Sequence, residues 1–248
     1  MGGVLAADND RVLAGDDRRL FRVVAVLALA SCFCGALALG RIRLTGRAGL
    51  LFLGWNLVLA WVPLGMSLLI VRRHLPGRRP SRLGSFALGA VWLAFFPNAP
   101  YLVTDLVHLR AHGFVLLLYD AMMVFAFALT GICLAFLSLW LMHRLVERHL
   151  GRALGWLFVA AVAGLSGFGV FLGRFPRWNS WDLVTRPGEL FVTLAVHAQD
   201  PFAHPRAIGM TLMMAALFAL AYLMFFALSS LDAGVRATEP PAAPPPAG

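Results

Sequence analysis

Long apolar runs alternate with short polar and basic stretches along most of this chain. The runs approach or exceed the roughly 20 residues that a helix needs to cross a bilayer. The pattern predicts about six transmembrane helices: Phe21–Leu39, Gly49–Val71, a span that begins near Leu83, Phe114–Met142, Ala153–Gly173 and Ala207–Leu228. The predicted fold class is therefore all-α, a polytopic helical bundle integral to the membrane.

The third span is interrupted by Pro97 and Pro100. Only 14 residues lie between Arg82 and Pro97, which is about 21 Å of helix against a hydrocarbon core of about 30 Å. Either the bilayer thins locally, or the helix breaks at membrane depth and residues 101–109 complete the crossing. Irregular backbone at that depth is tolerated only where protein buries it or a wet cavity borders it. Broken helices of this kind form binding sites in transporters.

Two polar stretches follow the third and fifth spans. The candidate binding residues within them are Asn98, Tyr101, Thr104, Arg174, Arg177, Trp178, Asn179, Trp181 and Asp182. Because two crossings separate the stretches, both must face the same side of the membrane, and Asp120 begins the fourth span from that side. We expect one polar site at the outer surface, where arginines suit phosphate or carboxylate. An interfacial tryptophan belt with solvated charges is the alternative.

Three residues are candidates for catalysis: Asp105, His108 and Asp120. Asp105 and His108 are three positions apart, so on a helix Asp105 could orient His108 as a general base. Asp105, Asp120 and Asp182 could alternatively hold a divalent metal. Asp120 has a structural alternative, an ion pair with an arginine of a neighbouring loop. The cysteine and histidine spacings predict no metal site, and no cofactor can be assigned.

Composition and charge fit a membrane protein. Hydrophobic residues make up 60% of the chain and charged residues 13%, whereas soluble domains carry about a quarter charged residues. The net charge of +9 comes from arginines at the ends of apolar runs, which is typical of membrane orientation and not of nucleic-acid binding. We therefore expect membrane lipids as partners and no nucleic acid.

With a cytoplasmic N-terminus, most arginines lie on the cytoplasmic side, although Arg41, Arg43 and Arg47 count against this orientation. The predicted divisions are a cytoplasmic tail at 1–19, a membrane domain at 20–229 and a disordered Pro/Ala-rich tail at 230–248. Residues 143–152 are predicted to form a short, solvated, positive-inside loop, although their spacing allows a helical Arg144–Arg148 face with Glu147 beside it. An uncleaved first span is favoured over a cleaved export signal, because its apolar run is long.

Small polar and apolar positions predict further packing. Asn56 is expected to hydrogen-bond between helices. Gly169-x-x-x-Gly173 fits the small-residue pattern of closely packed membrane helices. Its predicted use is packing within the bundle, with homo-oligomer formation as the alternative. Residues 189–197 are predicted to form a short interfacial or re-entrant helix.

The two polar stretches together resemble a bacterial family of multi-pass membrane proteins, domain of unknown function 1361. The residues that carry the resemblance are Phe96 to Tyr101, Thr104 to Leu106, Tyr119-Asp120, Gly173 to Phe175 and Arg177 to Asp182. The resemblance covers most of residues 50–228. It implies a multi-pass protein, for which we expect the bacterial inner (cytoplasmic) membrane, and it implies no activity.

Three functions are compatible with these features. The first is binding or transport of a small anionic solute or lipid headgroup at the broken helix. The second is an enzyme acting on an envelope lipid or its phosphate through Asp105 and His108, although no hydrolase or phosphate-loop motif is present. The third is a structural assembly partner in which the motifs only fix loops.

Overall fold

The computed structural model describes residues 17–75, 77, 81–109, 114–199 and 205–237. This part of the chain is built from helices and contains no strand. The helices are α1 Asp17–Thr45, α2 Phe52–Arg73, α3 Arg82–Phe95, α4 Asn98–Thr104, a 3₁₀ helix at Asp105–His108, α5 Phe114–Leu150, α6 Arg152–Arg174, α7 Asp182–Thr185, α8 Pro187–Gln199 and α9 Pro205–Ala237. The predicted all-α bundle is confirmed.

Six segments of the described chain are long and apolar enough to cross a membrane. Five of them lie within α1, α2, α5, α6 and α9, and the remaining one runs from Arg82 to Val107 through α3 and α4. The predicted number of spans is therefore confirmed, and the protein is a multi-pass membrane protein. The predicted tails fall mostly outside the described residues, although α1 includes residues 17–19 and α9 includes residues 230–237.

Helix α5 is the centre of the bundle. In its most apolar stretch 67% of the residues are buried, compared with 17% in the first span and 11% in the last. It contacts α1, α2, α4 and α6. An aromatic cluster joins it to α3 and α9, where Phe218 packs against both Phe96 and Phe136. The indole of Trp92 donates a hydrogen bond of 2.8 Å to the Ser138 hydroxyl of α5.

The predicted solvated loop at residues 143–152 is wrong. Helix α5 continues eight residues beyond Met142, and Gly151, with φ of 90°, alone separates it from α6. His143 is fully buried, and its Nδ1 lies 3.1 Å from the Tyr222 hydroxyl. The loop is predicted because polar and charged residues begin at position 143, and charge marks the end of an apolar run but does not end a helix. No glycine or proline interrupts the helix between Met142 and Gly151.

Helix α6 packs closely on both the break and α9. A β-carbon added to Gly169 would lie 2.6 Å from Cγ of Pro97, and one on Gly173 would lie 3.1 Å from Cε2 of Tyr101. The Gly169-x-x-x-Gly173 face is therefore filled within the chain by the segment that follows α3. This close approach brings the end of α6 against the helix break.

Candidate functional site

The broken third span is closed by side chains from two parts of the chain. Helix α3 ends at Phe95, before the prolines at 97 and 100, so carbonyl groups of its last turn lack their helical partners. The Ser180 hydroxyl donates to the carbonyl oxygen of Ala94 at 2.9 Å. Nδ2 of Asn98 donates to the carbonyl oxygen of Phe95 and to the Ser180 hydroxyl, both at 2.8 Å. The second polar stretch thus supplies hydrogen-bond partners for the groups at the helix break.

A buried ion pair joins the end of α4 to the end of α6. Asp105 is fully buried, and its Oδ1 accepts a hydrogen bond of 2.8 Å from Nη2 of Arg174. Its Oδ2 accepts one of 3.1 Å from Nδ2 of Asn56 on α2, which confirms the predicted interhelical bond. Arg174 also donates to the Thr104 hydroxyl and lies 4.6 Å from the centre of the Tyr101 ring. Both oxygens of the carboxylate are therefore engaged.

A cavity of about 870 Å³ lies beside this network. It is bordered by α2, by the break, by the end of α6 and by the chain that follows α6 through α8. Its polar lining residues are Asn56, Asn98, Tyr101, Asp105, Arg174, Arg177, Trp178, Asn179 and Ser180. Its apolar lining residues are Phe52, Leu59, Ala94, Pro97, Val107, Gly169, Leu172, Gly173, Leu183, Leu190 and Leu194. The cavity therefore has a charged part and an apolar part.

Arg177 differs from the other arginine of the lining. Its side chain is exposed, and no carboxylate pairs with it in the described part of the chain. Its backbone has φ of 62°, a left-handed conformation that costs about 1 kcal/mol or more for a residue other than glycine. The turn that exposes this cation is held by its surroundings, since the Trp178 amide donates to the Leu172 carbonyl at 3.0 Å.

The turn is closed on its other side by Asp182. Its Oδ2 accepts a hydrogen bond of 2.8 Å from the Asn179 amide, and its Oδ1 pairs with Arg186 at 3.1 Å. The Asn179 amide is the main reason that the pKa of the Asp182 carboxyl is lowered, because this bond favours the charged form. Arg186 lies 5.0 Å from the centre of the Trp178 ring. Asp182 therefore fixes the turn and does not border the cavity.

A family model described as "Protein of unknown function (DUF1361)" matches residues 55–226. The chain belongs to this family. The matched region includes the break, the buried ion pair and the turn through Asp182. No curated protein and no solved structure matches the chain significantly. Membership of DUF1361 assigns no function, which is therefore argued from the cavity.

The structure brings together most of the residues that the sequence selected in this DUF1361 protein. Asn98, Tyr101, Arg174, Arg177, Trp178 and Asn179 border the cavity, as does Asp105. Thr104 lies behind them and orients Arg174. Trp181 packs against Trp55, with ring centres 6.3 Å apart. The side chain of His108 lies outside the described part of the structure, so its proposed pairing with Asp105 stays a prediction.

Asp120 is separate from the cavity of this DUF1361 protein. Its carboxylate is bound by Nε and Nη2 of Arg41 at 2.6 and 2.9 Å, so its structural alternative is the one observed, with the arginine in α1 and not in a loop. The metal site suggested for Asp105, Asp120 and Asp182 is wrong, because each carboxylate pairs with a different arginine. Among the described residues, no group of three acidic, histidine or cysteine side chains is placed to hold a metal.

Two polar lining residues were not selected from the sequence as ligand contacts. The sequence predicts only a packing role for Asn56, although it both binds Asp105 and borders the cavity. Ser180 lies inside the second polar stretch, where its small hydroxyl is less conspicuous than the charged and aromatic side chains. The signal for Ser180 was its position opposite a proline-broken helix, which needs donors for its exposed carbonyls.

Proposed function

We propose that this protein binds a ligand carrying an oxyanion, a phosphate or a carboxylate, in the cavity beside the broken helix. The observation that carries the proposal is the exposed guanidinium of Arg177, which borders the cavity and has no carboxylate partner in the described chain. A guanidinium presents planar paired donors that match the two oxygens of such a group.

The remaining polar residues favour a single anionic group. The charge of Arg174 is balanced by Asp105 at 2.8 Å, so Arg177 supplies the uncompensated charge among the described lining residues. The side-chain amide of Asn179 provides a neutral donor group at the same cavity, whereas both amide hydrogens of Asn98 are donated to the Phe95 carbonyl and to Ser180. An anion placed there would gain a charge-assisted hydrogen bond, worth about 1.5–3 kcal/mol.

The same contacts support a second candidate, a purely structural role for the motifs. Asn98, Ser180 and Asp182 all make hydrogen bonds that fix the connection after α6. Under this alternative Arg177 is only a solvated interfacial cation. The two candidates differ in whether Arg177 retains an anion.

Native mass spectrometry of the detergent-purified protein tests the proposal. Wild type is compared with Arg177→Gln, with the charge-preserving Arg177→Lys, and with Arg43→Gln. Arg43 is an exposed arginine in the last turn of α1, at the same end of the bundle, and it does not border the cavity. We expect an anionic adduct in wild type, Arg43→Gln and, more weakly, Arg177→Lys, and its loss in Arg177→Gln. Identical adducts in all four proteins would leave only the structural role.

We also propose that the cavity faces outward from a bacterial inner membrane, with the N-terminus in the cytoplasm. Most of the arginines lie at the end of the bundle opposite the cavity, where α1, α3 and α6 begin and α2, α5 and α9 end. The excess of positive charge favours the cytoplasm for that end. Arg47→Cys and Arg152→Cys, each exposed and at opposite ends of the bundle, test this in a background without the native cysteines. A membrane-impermeant maleimide on intact cells should label only position 47; labelling of position 152 alone would reverse the orientation.

A further inference from the structure

The apolar part of the cavity is contributed by several separate elements. Leu59 comes from α2, Leu172 from α6, Leu183 from α7, and Leu190 and Leu194 from α8. A small hydrated anion gains nothing from these walls, whereas an acyl chain is stabilised by about 0.8 kcal/mol for each methylene removed from water. The lining therefore fits an amphiphile better than a free solute.

The surroundings of the cavity are apolar and exposed. Val107 on its wall is 71% exposed, and Phe191 and Val192 on α8 are 72% and 61% exposed. In a protein that spans a membrane, such side chains contact lipid, and a short helix with exposed apolar residues lies in the interface. The paired indoles of Trp55 and Trp181 are also typical of that depth. The cavity therefore borders the bilayer as well as the aqueous phase.

The net charge of the lining favours lipids whose phosphate carries a particular negative charge. Among the residues that the structure describes, its ionisable groups other than tyrosine are Arg174, Arg177 and Asp105, which together carry one net positive charge. A phosphodiester carries one negative charge, whereas a phosphomonoester carries about 1.5–2 at neutral pH. An excess charge at a partly buried site is unfavourable. A diester therefore matches the lining more closely than a monoester.

The aromatic rings of the site disfavour a cationic headgroup. Quaternary ammonium groups bind over aromatic faces. Here the guanidinium of Arg174 lies over Tyr101 at 4.6 Å, and that of Arg186 lies over Trp178 at 5.0 Å. A headgroup ammonium would meet these cations as well as Arg177. A choline or ethanolamine lipid should consequently bind more weakly than a lipid whose only charge is its phosphate.

From these features we infer that the ligand is a glycerophospholipid whose single charge is its phosphodiester, which enters from the bilayer and seats its phosphate at Arg177 and its chain against α8. The inference rests on the proposed anion binding and specifies the source and charge of the anion. Leu190 and Leu194 form the chain-binding wall, and Arg177 binds the headgroup.

Lipid titration followed by native mass spectrometry tests the inference. Phosphatidylglycerol, phosphatidylcholine and phosphatidic acid with identical chains are added separately to delipidated protein, and chain-free glycerophosphoglycerol is added in a further arm. We expect wild type to bind phosphatidylglycerol about tenfold more tightly than the other lipids, a difference of about 1.4 kcal/mol. We expect Arg177→Gln to lose that preference and Arg43→Gln to keep it.

A matched pair of variants on α8 tests the chain-binding wall. Leu194→Ser alters a lining residue, and Val196→Ser makes a comparable change at a position that is 49% exposed and does not line the cavity. Only Leu194→Ser should weaken phosphatidylglycerol binding, and neither should change binding of glycerophosphoglycerol. Melting temperatures of both variants near that of wild type establish that the fold is retained.

The outcomes separate the two proposals. Equal binding of the three lipids by wild type, or tighter binding of phosphatidic acid, overturns the charge matching. Binding of glycerophosphoglycerol as tight as that of phosphatidylglycerol, and dependent on Arg177, overturns the lipid and leaves the proposed anion binding intact. Binding that is independent of Arg177 in every arm overturns both.

Discussion

Ser180, which follows the fifth span, donates its hydroxyl hydrogen to the carbonyl oxygen of Ala94 in the third, at 2.9 Å. The two residues are 86 positions apart in the sequence. The bond gives a partner to a carbonyl of the last turn of α3, which ends at Phe95 without its helical partners. The second polar stretch is therefore part of the third span's own backbone structure.

Replacement of that hydroxyl should destabilise the break. Ser180→Ala removes the donor to Ala94 and the acceptor of Asn98, and we expect a loss of about 1–2 kcal/mol in the free energy of unfolding. Ser229→Ala serves as control, because Ser229 is exposed and its hydroxyl donates to the Phe226 carbonyl of its own helix. Unfolding in mixed detergents measures both variants. Equal stabilities for the two would contradict a supporting role for Ser180.

The buried ion pair should show strong coupling. Asp105→Asn leaves the Arg174 charge uncompensated beside a fully buried position, and we expect a loss of about 3–5 kcal/mol. The double variant Asp105→Asn/Arg174→Gln should recover part of that loss. Arg186→Gln, at an ion pair whose arginine side chain is 49% exposed, should cost under about 1 kcal/mol. Additive losses in the double variant would show that the pair is not coupled.

Because α6 packs closely on α9, alanine substitutions at two nearby glycines of α6 should differ in their effect on stability. A β-carbon on Gly167 would overlap the carbonyl oxygen of Thr211, whereas one on Gly164 meets nothing within 4 Å. We expect Gly167→Ala to lose about 1–3 kcal/mol of stability and Gly164→Ala to be neutral or slightly stabilising. Thermal unfolding in detergent compares them, and a neutral Gly167→Ala would mean that α9 can move away without cost.

The turn after α6 should be sensitive to acid. The Asn179 amide bond lowers the pKa of Asp182 below its ordinary value of 3.8. A lowered pKa contributes stability at pH above 3.8, and that contribution is lost as the pH falls through the folded-state value. Asp182→Asn should therefore be less stable than wild type at neutral pH, and the difference should shrink in acid.

Thermal unfolding of wild type and Asp182→Asn, from neutral pH to below 3.8, measures how the stability difference between them changes with pH. Glu189→Gln provides the control in the same segment, because the Glu189 carboxylate is 67% exposed. The control should follow wild type at every pH. A constant difference between Asp182→Asn and wild type would show that ionisation of Asp182 does not stabilise the turn.

The sequence predicted the spans and the meeting of the two polar stretches, because hydropathy and the parity of crossings determine both. It did not predict where α5 ends, since charged residues mark the membrane boundary while the helix continues to Leu150. It left two alternatives for Asp120, because the pairing with Arg41 depends on how α1 and α5 pack. The shape of the cavity depends on the left-handed turn at Arg177 and on the hydrogen bond from the Asn179 amide to Asp182. Neither feature is apparent from composition or spacing.

The two long-range ion pairs differ in the order in which a ribosome makes their partners. Arg41 is synthesised 79 residues before Asp120, so the fourth span emerges with its counter-ion already in place. Asp105 is synthesised 69 residues before Arg174, so the third span is made before the cation that neutralises it. The ion pair that fixes the third crossing can therefore form only after the fifth has been synthesised, and α9, which packs on α6, follows later still.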